Sequence, residues 1–141
     1  MTLPMALNLP QIPILPLADI NREIERRRLK RSHLEFTKKF FQAKENKNFL
    51  VGAHHMVISN TLDRVIKGEI PRVILNLPPG YSKTEMAVIN FIALGLAINP
   101  GARFLHASYS EELALYNSTQ VKDIIALEEF QELWPITYKD D

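Results

Sequence analysis

One stretch of the sequence combines residue types that bind phosphate. Lys83 and Thr84 stand side by side at the start of an apolar run, and a short aliphatic run precedes them. Where a loop joins a buried strand to a helix N-terminus, backbone N–H groups and the helix dipole converge on an anion. The loop reads Leu77-Pro78-Pro79-Gly80-Tyr81-Ser82-Lys83-Thr84. The sequence therefore predicts a phosphate site in this loop.

The loop departs from the Walker A pattern, Gly-x-x-x-x-Gly-Lys-Ser/Thr, at both glycine positions. Leu77 stands at the first and Ser82 at the second, although Gly80 supplies a flexible point between them. Lys83 is expected to reach the β- and γ-phosphates of ATP, and the Thr84 hydroxyl to ligate Mg²⁺. The alternative is an ordinary strand-to-helix connection with a solvated lysine. The loop alone favours neither interpretation.

The flanking segments predict how the loop is positioned. Residues 72–77 form a short aliphatic run between Pro71 and Pro78, which is typical of a buried strand, and residues 84–98 predict a buried helix. Residues 102–107 predict a second strand, and a capping box from Ser108 to Glu111 predicts a helix reaching about Ala126. This order predicts an α/β fold with a parallel βαβ unit, a partial P-loop NTPase.

The sequence before the loop predicts two further segments. Four prolines within residues 1–17 predict an extended arm, and residues 18–50 predict a basic helical segment with one long helix over about 19–46. The phenylalanines of that segment have helical spacing, which favours the core over base stacking. A helix from about His54 to Lys67 is expected to end at Gly68. Residues 51–141 are assigned to an incomplete P-loop ATPase domain.

Charge and composition restrict the possible functions. Residues 1–60 hold ten Lys/Arg against five Asp/Glu, and residues 61–141 hold seven against eleven. A basic first part could contact nucleic acid, but an exposed helix face carries similar charge. Cysteine is absent, which excludes disulfides, thiolate zinc sites and cysteine nucleophiles. The longest apolar run, residues 86–98, contains Asn90 and is too short to span a membrane, so a soluble single domain is expected.

Several stretches of the chain, taken in order, carry a resemblance to a known family. They are His54-His55 with Ile58 and Arg64, Lys67-Gly68-Glu69-Ile70-Pro71-Arg72, Leu75-Asn76-Leu77-Pro78-Pro79, Ser82-Lys83-Thr84-Glu85, Asn99-Pro100, Phe104-Leu105-His106-Ala107-Ser108-Tyr109-Ser110 and Leu113-Ala114. These stretches resemble the large subunit of the tailed-phage DNA-packaging terminase. The resemblance covers about residues 50–126 and is to the N-terminal part of that subunit. Family members commonly have an arginine and a glycine in the loop, where this chain has Gly80 and Ser82.

The resemblance implies an ATPase motor that translocates double-stranded DNA into a viral capsid. It implies ATP and Mg²⁺ as cofactors, the small terminase subunit and the portal protein as partners, and a phage or prophage product in the cytoplasm of a bacterial host. It also suggests that His54 and His55 flank the adenine, whereas the residues alone favour helix capping. The predicted nucleotide-binding residues are Pro79, Gly80, Tyr81, Ser82, Lys83, Thr84 and His55, with Thr84 also a metal ligand.

No catalytic residue is predicted, because the acids that hydrolysis requires are missing. A Walker B strand ends in an acidic pair, but Glu128 and Glu129 continue a helical pattern. No cluster of carboxylates could form a two-metal nuclease site. The chain is therefore expected to be truncated before Walker B and, as it stands, not to hydrolyse ATP. Two alternatives remain open, namely an inactive remnant or interaction module of the packaging machinery and a fragment of a helicase-like DNA translocase.

Overall fold

The computed structural model describes residues 15–137, and most of the predicted N-terminal arm and the last four residues lie outside this range. Within the described residues the chain forms six α-helices and one π-helical segment, Glu85–Asn90, which continues directly into α4. The helices are α1 (Leu17–Arg31), α2 (His33–Glu45), α3 (Ala53–Ile66), α4 (Phe91–Ile98), α5 (Glu111–Ala126) and α6 (Glu128–Leu133).

The predicted α/β fold is wrong, because residues 15–137 contain helices and no strand. Residues 72–77 and 103–107 are non-helical, and neither segment makes a backbone-to-backbone hydrogen bond to another described residue. An aliphatic or β-branched run favours an extended backbone, but a strand exists only where a second strand completes the ladder. The parallel βαβ unit of a P-loop NTPase is therefore absent from the described structure.

The predicted long helix over residues 19–46 is two helices. Ser32 separates α1 from α2 with an extended backbone, at φ −139° and ψ 108°. Its hydroxyl accepts a hydrogen bond from the Glu35 N–H at 3.3 Å, which satisfies one free donor of the first turn of α2. The break lets α1 and α2 pack against each other and against the later helices.

The main core joins the N-terminal helices to the C-terminal ones. The rings of Phe36 and Phe40 in α2 lie 6.5 and 5.5 Å from that of Phe130 in α6, and Trp134 packs against all three. Phe36 and Phe40 are fully buried, as their helical spacing predicts, whereas Phe41 and Phe49 of the same segment are only partly buried. The basic helical segment and the segment that follows the loop therefore share one hydrophobic core.

A smaller cluster supports the loop. Ile58 and Leu62 of α3 pack with Met86 of the π-helical segment, and Leu75 and Leu77 of the extended segment lie against them. The loop is thus fixed to the helices at both ends, through residues 75–77 before it and Met86 after it.

The π-helical segment has side-chain hydrogen bonds at its start. The Asn90 amide donates to the Glu85 carbonyl at 2.9 Å, and the His33 ring bonds to the Met86 carbonyl at 2.9 Å. Because a carbonyl only accepts, the His33 Nε2 must carry the proton. The His33 backbone N–H in turn donates to the Asp63 carboxylate at 2.8 Å. These bonds connect α2, α3 and the π-helical segment, and π-turns are frequent at functional sites.

Most predicted helix boundaries are confirmed, with one change in capping. Helices α3 and α5 occupy the predicted ranges. The cap of α5 is Ser110 rather than Ser108, because the Ser110 hydroxyl accepts from the Leu113 N–H at 3.2 Å. Among the helices of residues 15–137, none combines the length and the apolar character needed to cross a membrane.

Candidate phosphate-binding loop

Residues 78–85, here called the Lys83 loop, surround a cavity of about 370 Å³. Two left-handed residues shape it, since φ is +83° at Gly80 and +55° at Ser82. Positive φ has little cost for Gly80, whereas Ser82 is one of two non-glycine residues with positive φ in the described chain. The helix begins immediately after the second of these residues, because the Met86 N–H donates to the Ser82 carbonyl at 2.9 Å.

The predicted phosphate ligands Lys83 and Thr84 lie at the N-terminus of this helix, and both are exposed. The Lys83 ammonium donates to the Leu77 carbonyl at 3.3 Å, a weak contact that folds the side chain back over the loop. The backbone N–H groups of residues 83–85 have no intrahelical acceptor, since they belong to the first turn. The loop therefore presents one exposed cation, Lys83, and several N–H groups without an intrahelical acceptor beside the cavity.

Glu85 also lines the cavity, and its negative charge is compensated from behind. The Lys44 ammonium lies 3.2 Å from the Glu85 carboxylate, and the two side chains are only 10% and 17% exposed. Asn90 donates to the same carboxylate at 2.8 Å, and Gln120 accepts from Lys44 at 3.2 Å. A carboxylate held in this way repels an incoming anion less than a free one would. Lys83 therefore determines the sign of the charge at the loop.

An aromatic row leads from the protein interior to the loop. The His54 ring makes an edge contact with Tyr81 at 5.2 Å, and the His55 ring lies behind it, 3.8 Å from His54. Phe49 packs against His55 at 4.9 Å. The predicted nucleotide ligand His55 is buried and reaches the loop only through its neighbour. Of the two histidines, His54 makes the ring contact with the loop.

His55 instead has a structural contact at the start of α3. Its Nδ1 accepts a hydrogen bond from the Gly52 N–H at 2.9 Å. Burial, and next the neighbouring His54 charge, lower the pKa of His55, so its neutral form is favoured. This matches the helix-capping alternative that the residues alone favoured.

The other chemistry-bearing residues lie elsewhere. Glu128 and Glu129 occupy the first turn of α6, as expected for a helix. His106 is 3.1 Å from the Asn117 amide and lines a separate cavity of about 310 Å³ whose lining residues do not include the loop. Within residues 15–137, no group of three or more His, Asp or Glu side chains could hold a metal ion. Thr84 remains the one predicted Mg²⁺ ligand at the loop.

The sequence interpretation missed the network that supports the loop. Lys44, Glu85, Asn90 and Gln120 come from three different elements, so no local pattern connects them. Asn90 gave the one readable signal, because an amide inside an apolar helix must find a partner when it is buried. In comparisons with known proteins, no family model matches the chain, and no curated protein or solved structure matches it.

Proposed function

We propose that the chain binds ATP through the Lys83 loop, as a nucleotide-binding part of a DNA-packaging motor. The observation that carries nucleotide binding is the cavity of about 370 Å³ that residues 78–85 surround at a helix N-terminus. The packaging role is supported by the sequence resemblance to the terminase large subunit. Double-stranded DNA, the small terminase subunit and the portal protein are the partners that this role requires.

The loop offers the three features that a triphosphate needs. Free N–H groups of residues 83–85 point along the helix axis, where the dipole favours negative charge. Left-handed residues at Gly80 and Ser82 curve the backbone into a concavity of the kind that binds anions. Lys83 needs only to leave the Leu77 carbonyl to reach a phosphate, and the exposed Thr84 hydroxyl is available to Mg²⁺.

Binding is tested by titrating the purified chain with Mg-ATP in a calorimeter. The Lys83→Ala variant should bind about 10- to 100-fold more weakly, because a charge-assisted hydrogen bond is worth about 1.5–3 kcal/mol. Lys122→Ala removes an exposed lysine of α5 and is the matched control, so its affinity should equal that of the wild type. A wild type without measurable affinity would show that the proposal is wrong and favour the inactive remnant.

The compensation of Glu85 gives a second test of the same site. Lys44→Met should weaken Mg-ATP binding, because it leaves an unpaired carboxylate beside the phosphates. Adding Glu85→Gln to that variant removes the uncompensated charge and should restore most of the affinity. Equal affinities for the wild type and the two variants would contradict the electrostatic role of Lys44. Circular dichroism of each variant checks that the helices are retained.

A further inference from the structure

Residues 103–107, here called the edge segment, have the side-chain alternation of a strand. Phe104 points inward, where its ring tip lies against Gly95 and its centroid is 6.4 Å from that of Phe91. His106 also faces the helices, through its contact with Asn117. Leu105 points outward and is 99% exposed. The segment therefore has an anchored inner face and an apolar outer face.

The backbone of the edge segment is unpaired. Within residues 15–137, none of its N–H or C=O groups makes a backbone-to-backbone hydrogen bond, so its row of donors and acceptors has no backbone partner in that part of the chain. An unpaired edge of this kind is a template for a second strand. The other extended segment, residues 72–77, is a poorer template, because Pro71, Pro78 and Pro79 at its ends have no N–H to donate.

The charges around the edge segment favour the antiparallel alignment of two copies over the parallel one. Arg103 opens the segment, and Glu111 and Glu112 follow its end at the start of α5. None of these three side chains forms an ion pair within residues 15–137. Two copies aligned antiparallel would bring each Arg103 toward the acidic end of the other copy. A parallel alignment would place Arg103 beside Arg103.

We propose that two copies of this chain associate by antiparallel pairing of their edge segments. The pairing is closed by a two-fold axis, since the same segment forms both sides of the contact. It covers Leu105 and the 94%-exposed Tyr109, together with the outer edge of Phe104. This apolar area is on the order of a few hundred Å² per copy, which is below a standard interface. The dimer is therefore weak and dependent on concentration.

The test is sedimentation velocity of the full chain from about 1 µM to about 1 mM, a range that spans micromolar dissociation constants. The wild type should shift from monomer to dimer with rising concentration. Leu105→Glu should remain monomeric, because it replaces the two leucines of the small contact, one from each copy, with two negative charges that repel each other. Leu50→Glu is the matched control, since Leu50 is an exposed leucine outside the edge segment, and it should dimerise like the wild type.

A charge exchange tests the alignment separately from the apolar contact. Arg103→Glu should weaken the dimer, and combining it with Glu111→Lys and Glu112→Lys should restore it. All these side chains are exposed, so the variants are expected to fold, which circular dichroism checks. A wild type that is monomeric throughout, a Leu105→Glu variant that still dimerises, or open-ended assembly beyond the dimer would each overturn the proposal.

Discussion

Large apolar side chains are buried on one side of the molecule and exposed on the other. On the helical side, Phe36, Phe40 and Phe130 are fully buried against Trp134. On the side of the extended segments, Ile74 is 87% exposed and Leu105 almost completely so. A helix satisfies its own backbone and needs only one covered face, whereas an extended segment needs a neighbour for its hydrogen bonds as well. The described chain therefore completes its helical side and leaves the other open.

The π-helical segment and α4 form one continuous helix that connects the two sides. Ile89 and Leu94 of this helix contribute to the main core, while Met86 near its start packs under the loop. The two sides should consequently respond differently to substitution even where the residues removed are equally apolar.

The largest effect is expected in the aromatic cluster. Phe40→Ala removes a fully buried ring that contacts Phe36, Phe130 and Trp134, so the free energy of unfolding should fall by about 3–5 kcal/mol. Urea denaturation followed by circular dichroism measures it. Ile74→Ala, on the open side, should change the same quantity by no more than about 0.5 kcal/mol. Similar losses for both variants would remove the distinction between the two sides.

An intermediate effect is expected from pH, through His33 at the boundary between the sides. Burial lowers the pKa of His33 to about 4, from 6.5 when exposed, while its bond to the Met86 carbonyl opposes the shift. The unfolded chain therefore binds this proton first as pH falls. The contribution of His33, on the order of 3 kcal/mol, is fully present above about pH 6.5 and is lost as pH falls toward 4.

The pH effect is measured as the difference between the wild type and His33→Gln, whose amide can still donate to the Met86 carbonyl. Burial raises the pKa of Asp63, so this carboxyl acts in the opposite direction at acid pH, and the difference between the two proteins isolates His33. Urea denaturation from pH 7 to pH 4 should show a smaller loss of stability in the variant. Parallel curves would mean that His33 is not buried in its neutral form.

A smaller effect on stability than that of pH is expected at Gly95, where the two sides touch. An alanine there would collide with the tip of the Phe104 ring. No backbone hydrogen bond from the described part of the chain holds the edge segment in place, so Phe104 should move away. The gain in helix propensity, up to about 1 kcal/mol, should offset much of the lost contact. Urea denaturation should therefore show a change within about 1 kcal/mol.

The same Gly95→Ala variant should nevertheless release the edge segment. Trypsin cleavage after Arg103 should become faster, because Phe104 no longer anchors the neighbouring backbone. Gly101→Ala, in the turn before the segment, is a control that leaves the Phe104 contact unchanged. A loss of several kcal/mol in Gly95→Ala would show instead that Phe104 belongs to the rigid core.

The sequence predicted the parts of the fold that depend on local signals. The helical spacing of Phe36 and Phe40 indicated the core, and both are buried. The break at Ser32 was missed, although Ser32 and Glu35 form a readable capping pattern. Residues 72–77 and 102–107 were predicted as strands from their composition, but pairing depends on distant partners that composition does not encode.

The candidate site was predictable to a similar extent. Lys83 and Thr84 lie at a helix N-terminus beside a cavity, as their spacing suggested, although binding itself stays a prediction. The contact of His54 with Tyr81 and the pairing of Lys44 with Glu85 depend on how helices dock, so sequence spacing could not reveal them.

The π-helical segment has a consequence for how the loop and the core can change independently. A π-turn holds about one residue more than an α-turn. The residues before the π-helical segment are therefore rotated about the helix axis by roughly 100°, relative to α4, from where a regular α-helix would place them. Losing one residue from Glu85–Asn90 would convert the π-helical segment into regular α-helix while α4 stays packed in the core. Lys83 and Thr84 would then face a different direction. The π-helical segment thus determines the direction in which the loop faces relative to the core.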